Sequence, residues 1–208
     1  MGRYAGPVCR LCRRHGDKLY LKGERCSTPK CAFEKRPFPP GPRPQRRRKV
    51  SDRSLQLREK QKARSIYGVM ERQFRRYYAE AMRRPGISGD NLLQILELRL
   101  DNLVYRLGFA DSRSQARQVV LHGHISVNGR KSGIPSHILK IDDEIGWTNR
   151  GERSTYQENV KLTLDNKSIP SWLKLDAAKM TGQVLNMPDP EEVGSLFNSS
   201  TIVEYYSR

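Results

Sequence analysis

NLLQILELRLDNLVYRLGFADSRSQARQVVLHGHISVNGRK, residues 91–131, decides how the chain is organised. Leu92, Leu93, Leu96, Leu100, Leu103, Val104 and Leu107 recur at helical spacing, which predicts one long amphipathic helix with a single apolar face. Gly108 offers a stop, because a residue without Cβ enters the left-handed conformation at little steric cost. Ser112 to Gln115 has the form S-x-x-Q, in which hydroxyl and amide satisfy free N–H groups at a helix start. A second helix is expected from Arg113 to about His122, with Ala116, Val119 and Val120 turned inward and Gly123 as its end. Ile125 and Val127 alternate with Ser126 as in a strand, and Asn128-Gly129 is a preferred two-residue hairpin turn.

The chemistry lies on the outer side of the second helix. Arg113 and Arg117 are four residues apart, so they share a face and repel each other. Gln118, His122 and His124 lie near them in sequence, and Lys131 follows the turn. A polyanion would stabilise such a surface, and the N–H groups at the helix start favour phosphate near Ser112 to Ser114. The alternative is a basic face that simply meets water.

The 208 residues carry a formal net charge of +17 and a pI near 10.1. The length allows one or two domains with their own cores. No apolar run is long enough to span a membrane, and MGRYAGPVCRLCRRHG lacks the apolar stretch of a secretory signal, so a cytosolic protein is expected. The charge is uneven. Residues 1–88 hold 25 Lys+Arg against 7 Asp+Glu, and residues 89–208 hold 14 against 15. Within the near-neutral part, residues 99–131 hold six basic residues against Asp101 and Asp111. An excess of this size points first to nucleic acid. An anionic membrane is the weaker partner, because the Arg runs sit among Pro and Gly, not on a helix with a strongly apolar face.

All four cysteines fall near the start, with the spacing C-x2-C-x13-C-x4-C at Cys9, Cys12, Cys26 and Cys31. Two close pairs separated by a loop suit four thiolates around one zinc ion, with no position left open, so a structural Zn2+ is expected. Two disulfides, an iron–sulfur cluster or four unrelated thiols are the alternatives, and a cytosolic setting disfavours the disulfides. His15 is read as a surface residue. A metal-built knob would present Arg13, Arg14 and Lys22, with Arg3 before them, to phosphates.

RPFPPGPRP (36–44) reads as an extended linker, followed by the basic run Arg46-Arg47-Arg48-Lys49. From Ser54 to Arg84 the pattern fits two helices with a break near Gly68, whose Leu55, Leu57, Ile66, Phe74 and Tyr77 face a core. Arg72, Arg75, Arg76, Arg83 and Arg84 are candidates for phosphate contact. Pro85-Gly86 is a stop, and Ser88 starts the long helix. After the hairpin, Ile134, Ile138, Ile141, Ile145 and Trp147 suggest short strands, and Asp142-Asp143-Glu144 an exposed acidic turn. Short elements are expected near Trp172 and Val184, a linker at Pro188 and Pro190, and a strand or extended segment at Ile202–Tyr206. There is no G-x-x-x-x-G-K-[ST] and no other enzyme signature.

At this point the sequence resembles a known family. RLDNLVYRLGFADSRSQARQVVLHGHISVNGRK (99–131) is similar to the small RNA-binding module named after the fourth protein of the bacterial small ribosomal subunit. YGVMERQFRRYY (67–78), SGDNLLQILELRLDNLVYRLGFA (88–110) and IVEYYSR (202–208) resemble the full ribosomal protein, and the segment from Cys9 to Cys31 its zinc-bearing version. The resemblance implies an α+β fold: residues 1–49 a zinc knob and basic Pro-rich linker, 50–97 a mainly helical domain completed by 180–208, and 98–179 an inserted α/β RNA-binding domain of two helices on a short-stranded sheet. It implies Arg99, Arg113, Ser114, Gln115, Arg117, Gln118, His122, His124, Asn128 and Lys131 as RNA-facing. It further implies a non-enzymatic cytoplasmic ribosome constituent that takes no small-molecule substrate. That constituent binds small-subunit ribosomal RNA at a multi-helix junction in the 5′ region, nucleates assembly and contributes to decoding accuracy. Ribosomal protein number five, and mRNA where it enters its channel, are the further partners implied. Rival readings are an RNA-modifying enzyme that carries the module, and a rescue protein on the large subunit.

Overall fold

The computed structural model describes residues 4–42, 50–164, 167–193 and 197–207. The chain divides into two compact units, Met1–Leu92 with Ser195–Arg208, and Leu93–Gly194.

The first unit begins with α1 (Cys9–His15), a 3-10 turn at Gly23–Ser27 and α2 (Ala32–Lys35). Then come α3 (Asp52–Tyr67) and α4 (Glu71–Arg83), separated at Gly68, whose φ of +59° ends α3 in the left-handed conformation. The break expected there is present. Ile66, Tyr67, Phe74 and Tyr77 are buried as the pattern requires. Leu55 and Leu57 are not, at 48% and 38% exposed, because α3 turns Gln56 and Lys60 inward instead. His15 is not a plain surface residue either: it is half-buried, with Nε2 3.1 Å from the Ser65 hydroxyl on α3. Burial first, then the charges of Lys62 and Arg14, lowers its pKa.

α5 (Ser88–Glu97) does not run on to Arg106. The single long helix read from the leucine spacing is two helices, α5 and α6 (Leu100–Arg106), broken at Leu98-Arg99. The break is made by a distant segment. Arg99 bridges Ile138 in antiparallel fashion, the Leu139 N–H donates to Leu98 O at 2.9 Å, and the Leu100 N–H donates to His137 O at 2.8 Å. Extended pairing here outcompetes helix continuation, although all seven leucine and valine positions still point into cores.

The second unit continues with α7 (Arg113–Leu121), β1 (Ile125–Val127), β2 (Arg130–Lys131), β3 (Glu144–Trp147), α8 (Asn149–Glu152), α9 (Thr155–Thr163), β4 (Leu173–Asp176), β5 (Thr181–Val184) and α10 (Pro190–Val193). The five strands form one antiparallel sheet in the order β2-β1-β3-β5-β4. Leu103, Leu107, Phe109, Ala116, Val120 and Ile145 belong to a single apolar cluster. Gly182 on β5 admits the end of α6, since a Cβ there would sit 2.5 Å from both Leu107 methyls. Because β5 pairs with both β3 and β4, residues 181–184 belong to this unit and not to the helical one. The boundary expected at 179 therefore moves to 194. Ile134 and Ile141 are exposed, at 64% and 46%, and no strand forms at either.

The chain then returns to the first unit as α11 (Ser199–Tyr206), a helix where a strand or extended segment was expected. Its β-branched and aromatic residues are overridden by packing. Asn198 caps the helix by accepting from the Thr201 N–H at 3.2 Å, Ile202 is fully buried, and Tyr206 stacks on Tyr78 with ring centroids 4.5 Å apart. The Tyr206 hydroxyl donates to Glu71, the same carboxylate that accepts from the buried Lys60 at 2.9 Å.

Candidate nucleic-acid interface

The helix–turn–hairpin read from the sequence is built as expected. Ser112 Oγ accepts from the Gln115 N–H at 3.3 Å, one half of a capping box, while Gln115 Oε1 reaches one residue further back and accepts from the Asp111 N–H at 3.0 Å. Gly108 at φ +79° ends α6, and the Phe109 N–H reaches back to Val104 O at 3.1 Å. Asn128 and Gly129, with φ of +49° and +74°, make the hairpin turn between β1 and β2. Gly123 is held at φ +74°, and any Cβ there would collide with Lys131 Cε. That absent side chain lets the Lys131 stem lie against Gly123 at the end of α7. The His122 and His124 rings on either side of Gly123 in sequence have centroids 6.0 Å apart.

The resulting face has a graded exposure. Ser114, Gln118, His122, Asn128, Arg130 and Lys131 are exposed, while Arg113, Gln115, Arg117 and His124 are partly buried. Arg113 and Arg117 do not simply repel. Arg117 Nη1 donates to Asp101 Oδ2 at 3.0 Å, Arg113 Nε donates to Asn102 Oδ1 at 2.7 Å, and the Arg113 guanidinium lies 4.6 Å above the Tyr105 ring. Two acidic side chains organise this basic cluster: Glu97, which the sequence reading did not single out, and Asp101, which it counted only as charge. Helical periodicity hides them, because Glu97 ends α5 and Asp101 starts α6 across a break the pattern does not show.

Two residues expected to face RNA have structural work in this fold. Arg99 is 1% exposed and grips Asp101 with one edge of its guanidinium, Nε to Oδ1 at 3.0 Å and Nη2 to Oδ2 at 2.6 Å. The extended backbone at the helix break turns its side chain inward, which corrects the reading of it as a surface contact. Asn128 is exposed, but its amide donates to Asp143 at 2.8 Å and accepts from the Glu144 N–H at 2.8 Å. It locks the hairpin to the acidic turn, which is thus an ordered anchor and not a simple exposed loop. Asp143 also accepts from the Lys140 N–H at 2.7 Å. His124 Nδ1 is buried and has no hydrogen-bond partner among the described residues, and the pKa of the ring is lowered by burial first, then by the charges of Arg150 and His122. A neutral ring at neutral pH follows.

On the first unit, Arg72, Arg75 and Arg76 stand exposed on α4, and Arg14 and Lys22 are exposed near the cysteines. Arg13 is partly buried, and its Nε donates to Phe38 O at 2.8 Å. Arg3, Arg46, Arg47 and Arg48 lie outside the described residues.

Cys9, Cys12, Cys26 and Cys31 are all free thiols, three of them buried. They are neighbours: burial pushes the Cys12 thiol up, a hydrogen bond with the Leu19 backbone opposes this, and the charges of Cys26, Cys9 and Cys31 raise it further. The Lys22 N–H donates to Cys26 Sγ at 3.3 Å. The donor set fits zinc in kind, being four soft sulfurs, with the Cys12 thiol feeling the charges of the other three. Among the described residues, however, no group of three or more His, Cys, Asp or Glu stands in a metal-holding arrangement. No helix among them is long and apolar enough to cross a membrane.

Comparison with known proteins divides the chain at the end of α5. Residues 3–97 match the family model described as the ribosomal protein S4/S9 N-terminal domain, and residues 98–145 match the S4 domain. The chain is 50% identical over 208 residues to the small ribosomal subunit protein uS4 of Dehalococcoides mccartyi, and 51% identical over 208 residues to that of Heliobacterium modesticaldum. It is 52% identical over 212 residues to that of Thermus thermophilus, and each alignment covers 100% of both chains. With that identity along its whole length, and with an S4 domain built on the capped α7 and its hairpin, the chain belongs to the small ribosomal subunit protein uS4 family.

Proposed function

We propose that the chain is a structural, non-catalytic constituent of the small ribosomal subunit in the cytoplasm, and that it binds the ribosomal RNA of that subunit. One observation carries the reading: α7 and the β1–β2 hairpin present Arg113, Arg117, Gln118, His122 and Lys131 on one rigid frame, capped at one end and closed by Gly123 at the other. Lys and Arg on phosphates supply affinity, and the shape of a folded RNA supplies specificity. The family resemblance refines the target to a multi-helix junction in the 5′ region, with roles in assembly and decoding accuracy. Ribosomal protein number five and incoming mRNA are the further contacts it suggests.

The test is Arg113→Ala with Arg117→Ala in the full chain. Affinity for folded small-subunit ribosomal RNA falls by about tenfold or more, and the salt slope flattens by roughly 1.5 to 2. Circular dichroism and thermal melting first confirm the fold. Unchanged RNA affinity in the folded variant removes α7 from the interface and defeats the reading.

We also propose that Cys9, Cys12, Cys26 and Cys31 hold one structural zinc. The ion would tie α1 to the segment around α2 in a stretch with few large apolar side chains. Cys9→Ser is then expected to lose the metal, measured as zinc per chain, and to expose the first ~35 residues to protease, since binding and folding are coupled in such small sites. Purified chain with no bound zinc and a protease-resistant N-terminus overturns this.

A further inference from the structure

We infer that Glu97 and Asp101 are positioning residues for RNA recognition, holding the arginines around α7 in fixed orientations; this rests on the RNA-binding role proposed above. Glu97 is 0% exposed and Asp101 4%. A carboxylate removed from water this completely needs compensating partners. Here the partners include Arg113 and Arg117 of the proposed interface, with Arg106 and the buried Arg99 beside them.

Glu97 takes Arg106 through two hydrogen bonds, from Nε at 2.9 Å and Nη2 at 3.0 Å. It also accepts from Asn102 Nδ2 at 2.8 Å, and Arg113 Nη2 stands 3.8 Å away. Asn102 is a relay. Its Nδ2 is held by Glu97 Oε2 and the Glu97 carbonyl, which points its Oδ1 at Arg113 Nε, 2.7 Å away. The orientation of the Arg113 guanidinium, set also by the Tyr105 ring, is therefore dictated by Glu97. Asp101 does the same for Arg117, with the buried Arg99 fixing the carboxylate from behind.

Four arginines share two carboxylates, so the cluster keeps a net charge of +2 among these six side chains. Each guanidinium has five N–H donors in a rigid fork, so a carboxylate at one edge orients the plane without exhausting it. A solvated arginine loses rotamer freedom when it meets a phosphate, and a tethered one has already lost it. The tether favours an RNA whose phosphates are themselves fixed in space over a flexible or generic polyanion.

Charge and position make opposite predictions for Glu97→Gln. The substitution adds one unit of positive charge, so electrostatics alone tightens binding to any RNA. Positioning instead weakens binding to folded small-subunit ribosomal RNA by about tenfold, the scale of re-immobilising a long side chain, while affinity for an unrelated RNA duplex holds or rises. Folded E97Q that binds the ribosomal RNA as tightly as the parent, or tighter, overturns the inference. If E97Q does not fold, Arg113→Lys decides: it keeps the charge and loses the planar fork. Its RNA affinity is expected to fall nearly as far as that of Arg113→Ala, and near-parental affinity sinks the inference. Should Arg113→Ala itself leave binding untouched, the RNA role of α7 fails; should Arg113→Ala weaken binding while R113K and E97Q do not, positioning alone fails.

Discussion

Raising monovalent salt from about 50 to 200 mM weakens the binding of this chain to small-subunit ribosomal RNA by roughly 10³-fold or more, the loss expected when at least six phosphates are neutralised. The cations to do this are at hand. Residues 1–88 carry 25 Lys+Arg against 7 Asp+Glu, and α4 alone exposes Arg72, Arg75 and Arg76. In the second unit the supply is smaller and already shared, because Arg106, Arg113 and Arg117 each meet Glu97 or Asp101. Most of the salt slope therefore comes from the first unit, and most of the discrimination from the second. Fluorescence anisotropy of the full chain on folded RNA, titrated with KCl, measures both. A change below about tenfold over that range would mean that fewer than about two phosphates are neutralised, and that base stacking or apolar contact carries the affinity.

The same partition explains what could be read from the amino acids alone. Local signals were legible because local chemistry builds them. The Ser112 cap on Gln115, the stop at Gly123 and the Asn128-Gly129 turn each depend on residues within a few positions of one another. The break between α5 and α6 was not legible, since residues 135–139 impose it from almost forty positions away while every leucine stays buried. That break is also what brings Glu97 and Asp101 together beneath the arginines. Arg99 was misread for the same reason: in an unbroken helix it would flank Arg106 and face out. The C-terminal helix was missed because Ile202 to Tyr206 has the composition of a strand, and packing against distant residues tells it otherwise: Gln56 and Lys60 of α3, and Glu71, Phe74 and Tyr78 of α4.

Asp101→Ala is expected to cost the second unit about 3–5 kcal/mol, the penalty for removing one partner of a buried ion pair. Arg99 is the reason. Its side chain is 2% exposed, and its guanidinium cannot shed a proton to escape the interior. Losing Asp101 deprives it of two hydrogen bonds at 3.0 and 2.6 Å in a site that water does not reach. Against a typical domain stability of about 5–15 kcal/mol, such a loss leaves the unit marginal. Arg117→Ala, which breaks only the outer contact to the same carboxylate, should cost no more than about 1 kcal/mol, because its side chain is partly solvated. The two substitutions thus separate the folding role of Asp101 from its recognition role: one lowers stability, the other lowers RNA affinity with stability kept. Replacing both members of the inner pair with apolar residues of similar volume, Arg99→Met with Asp101→Leu, should restore most of the stability that Asp101→Ala removes. Urea denaturation followed at Trp147 and Trp172, both buried in this unit, reads all three. If Asp101→Ala shifts stability by less than about 1 kcal/mol, Arg99 does not depend on this carboxylate, and the break between α5 and α6 must be held by the 135–139 backbone pairing alone.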